Sequence, residues 1–596
     1  MVPIGGQWRI CISNDCREDS CGAPCKEGRM PDFSGVHGSS GATDKHRPAA
    51  VAGSLDPTLN ERAEPPRGAA HGFFRGMSHG SLYRSAHGPL RGWWWTVCAA
   101  VSAMLMLIAF TVNTGGAASS AADGSRAVAI GLKLAPTNLD IRNQSGSALD
   151  QLLIGNVYEG LVARDESNAV IPAVAQSWDS SADGKTYTFH LHRGMRFSNG
   201  DALDANDVAW SITQLIQHRY QGADELKDVG SVRAVDSSTV TITLIEPYAD
   251  LLWVLTGRPG LVFDRRARYD YATQAVGSGP YRIAAYTPGS SVTLEVNEAY
   301  WGEHRAKTDR IVVRYFADDT AAANALKSGD VQVLAPLTQT LTKPFVNDSA
   351  RYQVKVGDGT DKYVLAFNMR GAKTSDKRVR QAIRYAIDHR QLIASRGGAD
   401  VALGGPIPSL DPGHENLTSL YPHDVAKAKR LMREAGFDAA HPLRLTLTYA
   451  NVYGGELGDQ LRSQLKPIGI DLHVEVVEFT TWLQDVFTNH DYDLSLVDHN
   501  ESHDFSLWSD PSYYFGYDNK TVQRLTAEAN RAGNAARHAR SLAQAARIVS
   551  EDAPADWLFN YRITTVEAVG VQGFPINLNQ TVMPLYDVTY TPTGTR

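Results

Sequence analysis

The sequence predicts an α/β protein built from more than one lobe, and three observations carry that reading. The chain has 596 residues, well beyond what a single hydrophobic core organises. Beyond Arg126 strand and helix patterns are mixed throughout. After Thr360 the pattern alternates between the period of two expected of strands and the 3.6-residue period of amphipathic helices, as in an α/β lobe.

The elements follow in order. Val128–Leu134 alternates as a first strand, and Leu152–Leu161 reads as a helix. Trp178–Leu191 reads as a hairpin turning at Asp183-Gly184. Val240–Leu244, Val292–Val296 and Ile311–Tyr315 are further strands, and Tyr363–Asn368 opens the second half. Val379, Ala382, Ile383, Ala386 and Ile387 then form one apolar helical face. Val425–Ala435 is a helix stopped by Gly436. Strand 443–449, helix 457–465, strand 472–476, helix 482–487 and strand 493–497 complete the alternation.

Composition excludes several classes. With 58 Lys+Arg against 65 Asp+Glu the net charge is −7, which gives no general electrostatic case for nucleic acid. At 43% hydrophobic and 21% charged the chain is neither mainly disordered nor polytopic. Four of its five cysteines are Cys11, Cys16, Cys21 and Cys25, and the fifth is Cys98. Everything after Ser102 therefore lacks a disulfide framework, a thiolate metal site or a cysteine nucleophile. Gly184-Lys185-Thr186 is the tail of a phosphate loop whose first glycine is absent, Asp179 standing in its place.

Residues 92–122 contain no charged side chain. An apolar run from Trp93 to Val112 follows Arg84 and Arg91 and is followed by small residues. This is the layout of an export signal, and the run is also long enough to anchor in a bilayer. Either way the positive flank directs the body outward, so an extracytoplasmic location is expected. Cys98 lies near the start of the run, the wrong place for lipidation. Residues 1–91 read as a disordered extension, or as sequence upstream of a true start at Met77. The four cysteines there do not have the spacing of a common zinc ribbon. Gly76-Met77-Ser78-His79-Gly80 matches a serine-hydrolase pattern without the strand that pattern needs. Residues 126–596 are expected to fold without this extension.

A set of short motifs gives a more specific reading. They are Tyr158-Glu159-Gly160-Leu161, then Ile171-Pro172-Ala173-Val174-Ala175-Gln176-Ser177-Trp178, then Asp183-Gly184-Lys185-Thr186-Tyr187-Thr188-Phe189. Phe197-Ser198-Asn199-Gly200-Asp201, Ala205-Asn206-Asp207-Val208 and Gly277-Ser278-Gly279-Pro280-Tyr281 follow. Asn297-Glu298-Ala299-Tyr300-Trp301-Gly302 and Phe367-Asn368 with Val379-Arg380-Gln381-Ala382-Ile383 end the series. In this order the chain resembles the extracellular solute-binding proteins of family 5, the dipeptide-, oligopeptide- and nickel-binding components of ABC importers. The resemblance implies a two-lobed periplasmic-binding-protein fold with a hinge and an interlobe ligand cleft. Lobe I would comprise 126–361 plus 557–596, and lobe II 362–556. Most of the motif residues read as scaffold, with Asn368 and Arg380 as candidates for fixing the lobe–lobe geometry. The implied function is capture of a peptide and its delivery to membrane permease subunits driven by a cytoplasmic ATPase. The chain is expected to act as a monomer, without enzymatic activity and without a cofactor.

In peptide-binding relatives a late loop of lobe II carries an acid for the peptide ammonium. Here that loop follows Val497 and reads Asp498-His499-Asn500-Glu501-Ser502-His503-Asp504-Phe505. Glu501 and Asp504 are the candidates for the charge-assisted contact, and Trp508, Tyr513 and Tyr514 for an apolar or cation–π wall. Replacing the right acid is expected to weaken binding while changing folding little. His499 and His503 with Glu501 or Asp504 support a rival, a metal or metal-chelate carrier. A zinc hydrolase is a more distant rival, because the spacing departs from H-E-x-x-H.

Overall fold

The computed structural model describes residues 126–144 and 146–592, together with two short paired strands, Pro3–Ile4 and Gln7–Trp8. The expectations for residues 1–91 and 92–122 lie outside the described residues. Among the described residues no helix is long and apolar enough to cross a membrane.

Two large sheets organise the body. The first has seven strands in the order Tyr281–Thr287, Ser291–Val296, Arg310–Tyr315, Ala127–Leu132, Val333–Leu334, Ile563–Ala568, Tyr352–Gly357. The second has five, Ile470–Val477, Leu443–Ala450, Leu494–His499, Lys362–Phe367 and Ala555–Asn560. Within it Leu443–Ala450 runs parallel to both of its neighbours, and the other pairs are antiparallel. A separate four-stranded antiparallel sheet, Ala175–Ser180, Thr186–Leu191, Thr239–Leu244 and Val229–Asp236, holds the expected hairpin, with Gly184 at φ 69° in its turn.

Local chemistry explains the helices beside these sheets. Asp204 accepts from the Asn206 amide and Asp207 reaches back to the Asp204 amide, a reciprocal cap that starts helix Ala205–His218. Asp376 caps helix Lys377–Ala386, which buries Val379, Ala382, Ile383 and Ala386 as its period requires. Gly436 at φ 93° follows helix Val425–Glu434 and allows the chain to leave it. The helix expected over 152–161 does not form there; the helical segment lies earlier in the chain and overlaps that span only at 152–153. It spans Ser147–Leu153, and Ile154 then bridges to Tyr158 through a turn at Gly155, φ 75°. The apolar run continues because Val157, Tyr158 and Leu161 are core residues of a loop. Asn368 and Arg380 act within one lobe. Asn368 Nδ2 donates to the carbonyls of His490 and Tyr492, and Arg380 to those of Thr374, Ser375, Asp552 and Ala553.

The chain passes between the two large sheets at 358–361 and again at 561–562. Residues 557–560 pair with Lys362–Phe367 and so belong to the second sheet. The two crossings are tied to each other. Asn560 Nδ2 donates to the carbonyls of Gly359 and Asp361, the Tyr561 amide donates to Asp361, and Arg562 pairs with Asp358 at 2.6 Å.

Candidate functional site

The second sheet ends beside these crossings, and the pairing of its central strands decides what meets there. Lys362 lies opposite His499 and Tyr363 opposite Asp498. Alternation along a strand sends neighbouring side chains to opposite faces, so the paired residues Lys362 and His499 share one face and Tyr363 and Asp498 the other.

On the first face Lys362 is buried, with only 2% of its side chain exposed, and its Nζ lies 3.1 Å from Asp504 Oδ2. The same ammonium donates to the carbonyls of Thr360 at 3.0 Å and Glu501 at 2.7 Å. Burial works to discharge Lys362, but the surrounding carboxylates of Asp504, Asp411 and Glu501 prevail and hold its pKa above the ordinary lysine range. Burial pushes Asp504 up to about 7, against the pull of Lys362, because the acids outnumber the single ammonium. His499 sits 3.1 Å from the Tyr514 hydroxyl through Nε2 and stacks on that ring. Burial, with Lys362 nearby, drives its pKa down to about 3, so it is neutral.

On the second face Asp498 and Asp361 form an acidic pair that repel each other and Glu501. Burial lifts Asp361 to about 7 and Asp498 well above its ordinary value. Asp498 Oδ1 is sealed from solvent and has no hydrogen-bond partner among the described residues. Aromatic side chains surround the pair. The Tyr453 hydroxyl accepts from the Asp498 amide, and Tyr363 packs on Tyr453, Phe559 and Tyr561. Arg396 lies over the rings of Tyr363 and Phe559 but is committed to Asp400 at 2.7 Å. The result is a cluster of carboxylates and tyrosines in which Lys362 and Arg396 only partly oppose the upward shift of the two aspartates.

The residues expected to read the ligand therefore divide. Glu501 is exposed and electrostatically linked to the acidic pair. Asp504 is spoken for by Lys362. His499, Trp508 and Tyr514 are buried in the core, where Trp508 stacks on Phe515 at 4.0 Å. Tyr513 is half-buried against Phe487 and Phe515. The trio of His499, Glu501 and Asp504 brings its ligating atoms within 4.8 Å, but the Lys362 ammonium already supplies the positive charge at Asp504. In the sequence Asp361 and Asp498 each look like a strand-end polar residue. Only the pairing across the sheet brings them together.

The rest of the loop docks on the four-stranded-sheet side of the body. Asn168 Nδ2 donates to Ser502 Oγ at 2.9 Å and Asp411 Oδ1 at 3.2 Å, while Asn168 Oδ1 accepts from Trp253 Nε1. The ring of His503 stacks on Trp253 with centroids 4.2 Å apart. The His503 amide donates to Asp411, at the left-handed φ of 58°.

Comparison with known proteins agrees with this architecture. Residues 169–521 match the bacterial extracellular solute-binding proteins, family 5 (middle region). The chain belongs to that family. Glutathione-binding protein GsiB of Pectobacterium atrosepticum is 27% identical over 350 residues, covering 57% of this chain and 67% of that protein. The chain spans between about half and two thirds of the length of the curated relatives it matches. Among solved structures, the substrate-binding protein CtaP of Listeria monocytogenes superposes with a TM-score of 0.71 at 20% identity, over 79% of this chain and 100% of that one. DppA of Helicobacter pylori, solved with the peptide STSA, gives 0.63 at 21% identity, over 78% of this chain and 98% of that one. The fold is thus the two-lobed α/β fold of peptide-type periplasmic binding proteins.

Proposed function

We propose that the protein is the extracytoplasmic substrate-binding component of an ABC importer, and that it captures peptides and hands them to a membrane permease. The observation that carries this reading is the buried cluster of acids around Asp498. Asp498 Oδ1 is buried without a partner, beside Asp361 and within electrostatic reach of Glu501. Such an arrangement is costly when empty and is relieved by a cation. A peptide ammonium supplies one, and the tyrosines around it supply apolar and cation–π contact for the first residues. The peptide-bound DppA structure and the glutathione-binding relative support the same ligand class.

Binding and release are the whole task in this reading, and no bond-making step is assigned. Affinity then reflects the difference between open and ligand-bridged closed states. Export through residues 92–122, cleaved or retained, places the body where a permease would meet it. A metal chelate is the second reading, favoured by a nickel-binding periplasmic relative of Escherichia coli, 27% identical over 341 residues.

Mass spectrometry of small molecules co-purified with the protein, followed by calorimetry with free and N-acetylated peptides, tests the proposal. Preference for the free amino terminus is the expected result. Binding of a nickel–histidine complex in place of peptides, or metal-dependent peptide cleavage, would overturn it.

A further inference from the structure

A second constellation lies apart from the acidic cluster, where Asp250 meets His503 and His538. Their ligating atoms all lie within 4.8 Å of one another. Asp250 immediately precedes the short helix Leu251–Val254, in the stretch that follows the four-stranded sheet. His503 comes from the loop after Leu494–His499, and His538 from helix Ala535–Asp552. The side chains of Asp250, His503 and His538 are 16%, 11% and 5% exposed.

The hydrogen bonding of His538 decides what this cluster can hold. Its Nδ1 lies 3.0 Å from the carbonyl oxygen of Ala529. A carbonyl only accepts, so Nδ1 carries a proton and Nε2 is the ring nitrogen left to ligate. That nitrogen faces Asp250 Oδ1 at 3.4 Å and has no hydrogen-bond partner among the described residues. His538 Nε2 is thus aimed at a carboxylate in a buried place, where a cation could be held by both. The same carboxylate oxygen accepts a hydrogen bond from His503 Nδ1 at 2.9 Å, and a bound cation would take the place of that proton.

We propose that Asp250, His503 and His538 bind a divalent transition-metal cation of the zinc class, which clasps the two lobes together. The donors would be Asp250 Oδ1, His503 Nδ1 and His538 Nε2, two imidazoles and a carboxylate, a set that suits zinc. The Ala529 carbonyl fixes the His538 tautomer as an outer partner does in metal sites. On ligation His503 would exchange its Nδ1 proton for the ion and keep a proton on Nε2, and stacking on Trp253 together with the bond from its amide to Asp411 holds its ring in place. A cavity of about 80 Å³, lined also by Asp411, Asp504 and Asn530, adjoins the trio and leaves room for a water as fourth ligand. Because Asp250 stands on one lobe and both histidines on the other, the binding free energy of the ion favours the docked arrangement. The ion is a fastening and not the transported cargo.

The test uses the full chain with Cys11, Cys16, Cys21, Cys25 and Cys98 replaced by Ser, so that no thiolate competes. After chelation and desalting, the protein is titrated with Zn²⁺ by calorimetry and with Co²⁺ by visible absorption. One ion per chain is expected, with Co²⁺ bands of a four- or five-coordinate nitrogen–oxygen site. His538→Gln and the near-isosteric Asp250→Asn should each weaken Zn²⁺ binding at least 100-fold. Glu501→Gln, which removes a donor from the other trio, should leave Zn²⁺ affinity unchanged. Absence of Zn²⁺ and Co²⁺ binding in the cysteine-free chain would overturn the proposal, as would unchanged affinity in Asp250→Asn and His538→Gln. Because the Co²⁺ spectrum is read on the parent chain, it stands even where a variant folds poorly.

Discussion

Lys362 Nζ and Asp504 Oδ2 face each other at 3.1 Å with 2% and 8% of their side chains exposed. Breaking such a pair strands one charge in the interior, a loss of about 3–5 kcal/mol. Asp504→Ala and Lys362→Met should each lower the urea midpoint strongly. The double replacement Lys362→Met with Asp504→Leu should recover much of the loss, because it leaves no buried charge behind. This reverses the expectation from sequence that an alanine at Asp504 would spare the fold. Equal destabilisation by the singles and the double would show that shape, not charge, holds this place.

Ligand affinity should respond to Asp498 and Glu501. Asp498→Asn keeps the shape and removes the charge that meets a cationic ligand group. Calorimetry with an unblocked peptide should then show a loss of roughly 2–5 kcal/mol. Glu501→Gln, at the exposed rim, should cost about 1 kcal/mol or less. An N-acetylated peptide should bind the parent weakly and lose little more in either variant.

The acidic cluster should also leave a mark on stability against pH. Burial raises Asp361 to about 7 in the folded chain, whereas an unfolded aspartate titrates near 3.9. Between about pH 4 and pH 7 the folded state therefore holds more protons than the unfolded one, and stability falls as pH rises through that window. Asp361→Asn should melt higher than the parent at pH 7.5 and match it at pH 4. Parallel pH profiles of melting temperature for the two proteins would contradict this assignment.

Gly277 belongs to the Gly-Ser-Gly-Pro-Tyr motif and has no room for a side chain. A Cβ there would overlap the carbonyl oxygen of Val157, and one on Gly279 would reach 2.5 Å from that of Asn156. Backbone atoms cannot yield as a flexible side chain can, so Gly277→Ala should destabilise by at least ~1–3 kcal/mol. Its affinity for ligand at low temperature should stay near the parent's, as expected of scaffold.

The architecture was legible where period and capping agreed. The apolar face of Lys377–Ala386 and the stop at Gly436 mark their helices without outside help. Leu152–Leu161 misled because a buried loop carries the same apolar density as a helix. The candidate site was legible as a segment but not as a set of roles. The loop after Val497 does meet the acidic cluster and the clasp, yet Asp504 is drawn inward by Lys362, a residue 142 positions away in the sequence. His503 likewise turns to Asp250 and His538, and no local spacing announces a trio gathered from three distant segments.

The order of strands in the seven-stranded sheet sets a timetable for the newborn chain. Ile563–Ala568 lies between Val333–Leu334 and Tyr352–Gly357, so that sheet stays split until residue 568 has been made. The five-stranded sheet needs nothing beyond Asn560 and can close first. A chain emerging from its amino end thus keeps its earliest large sheet incomplete longest, with exposed strand edges that invite mispairing. Truncation after Asn560 should for the same reason yield one finished lobe joined to one that cannot finish.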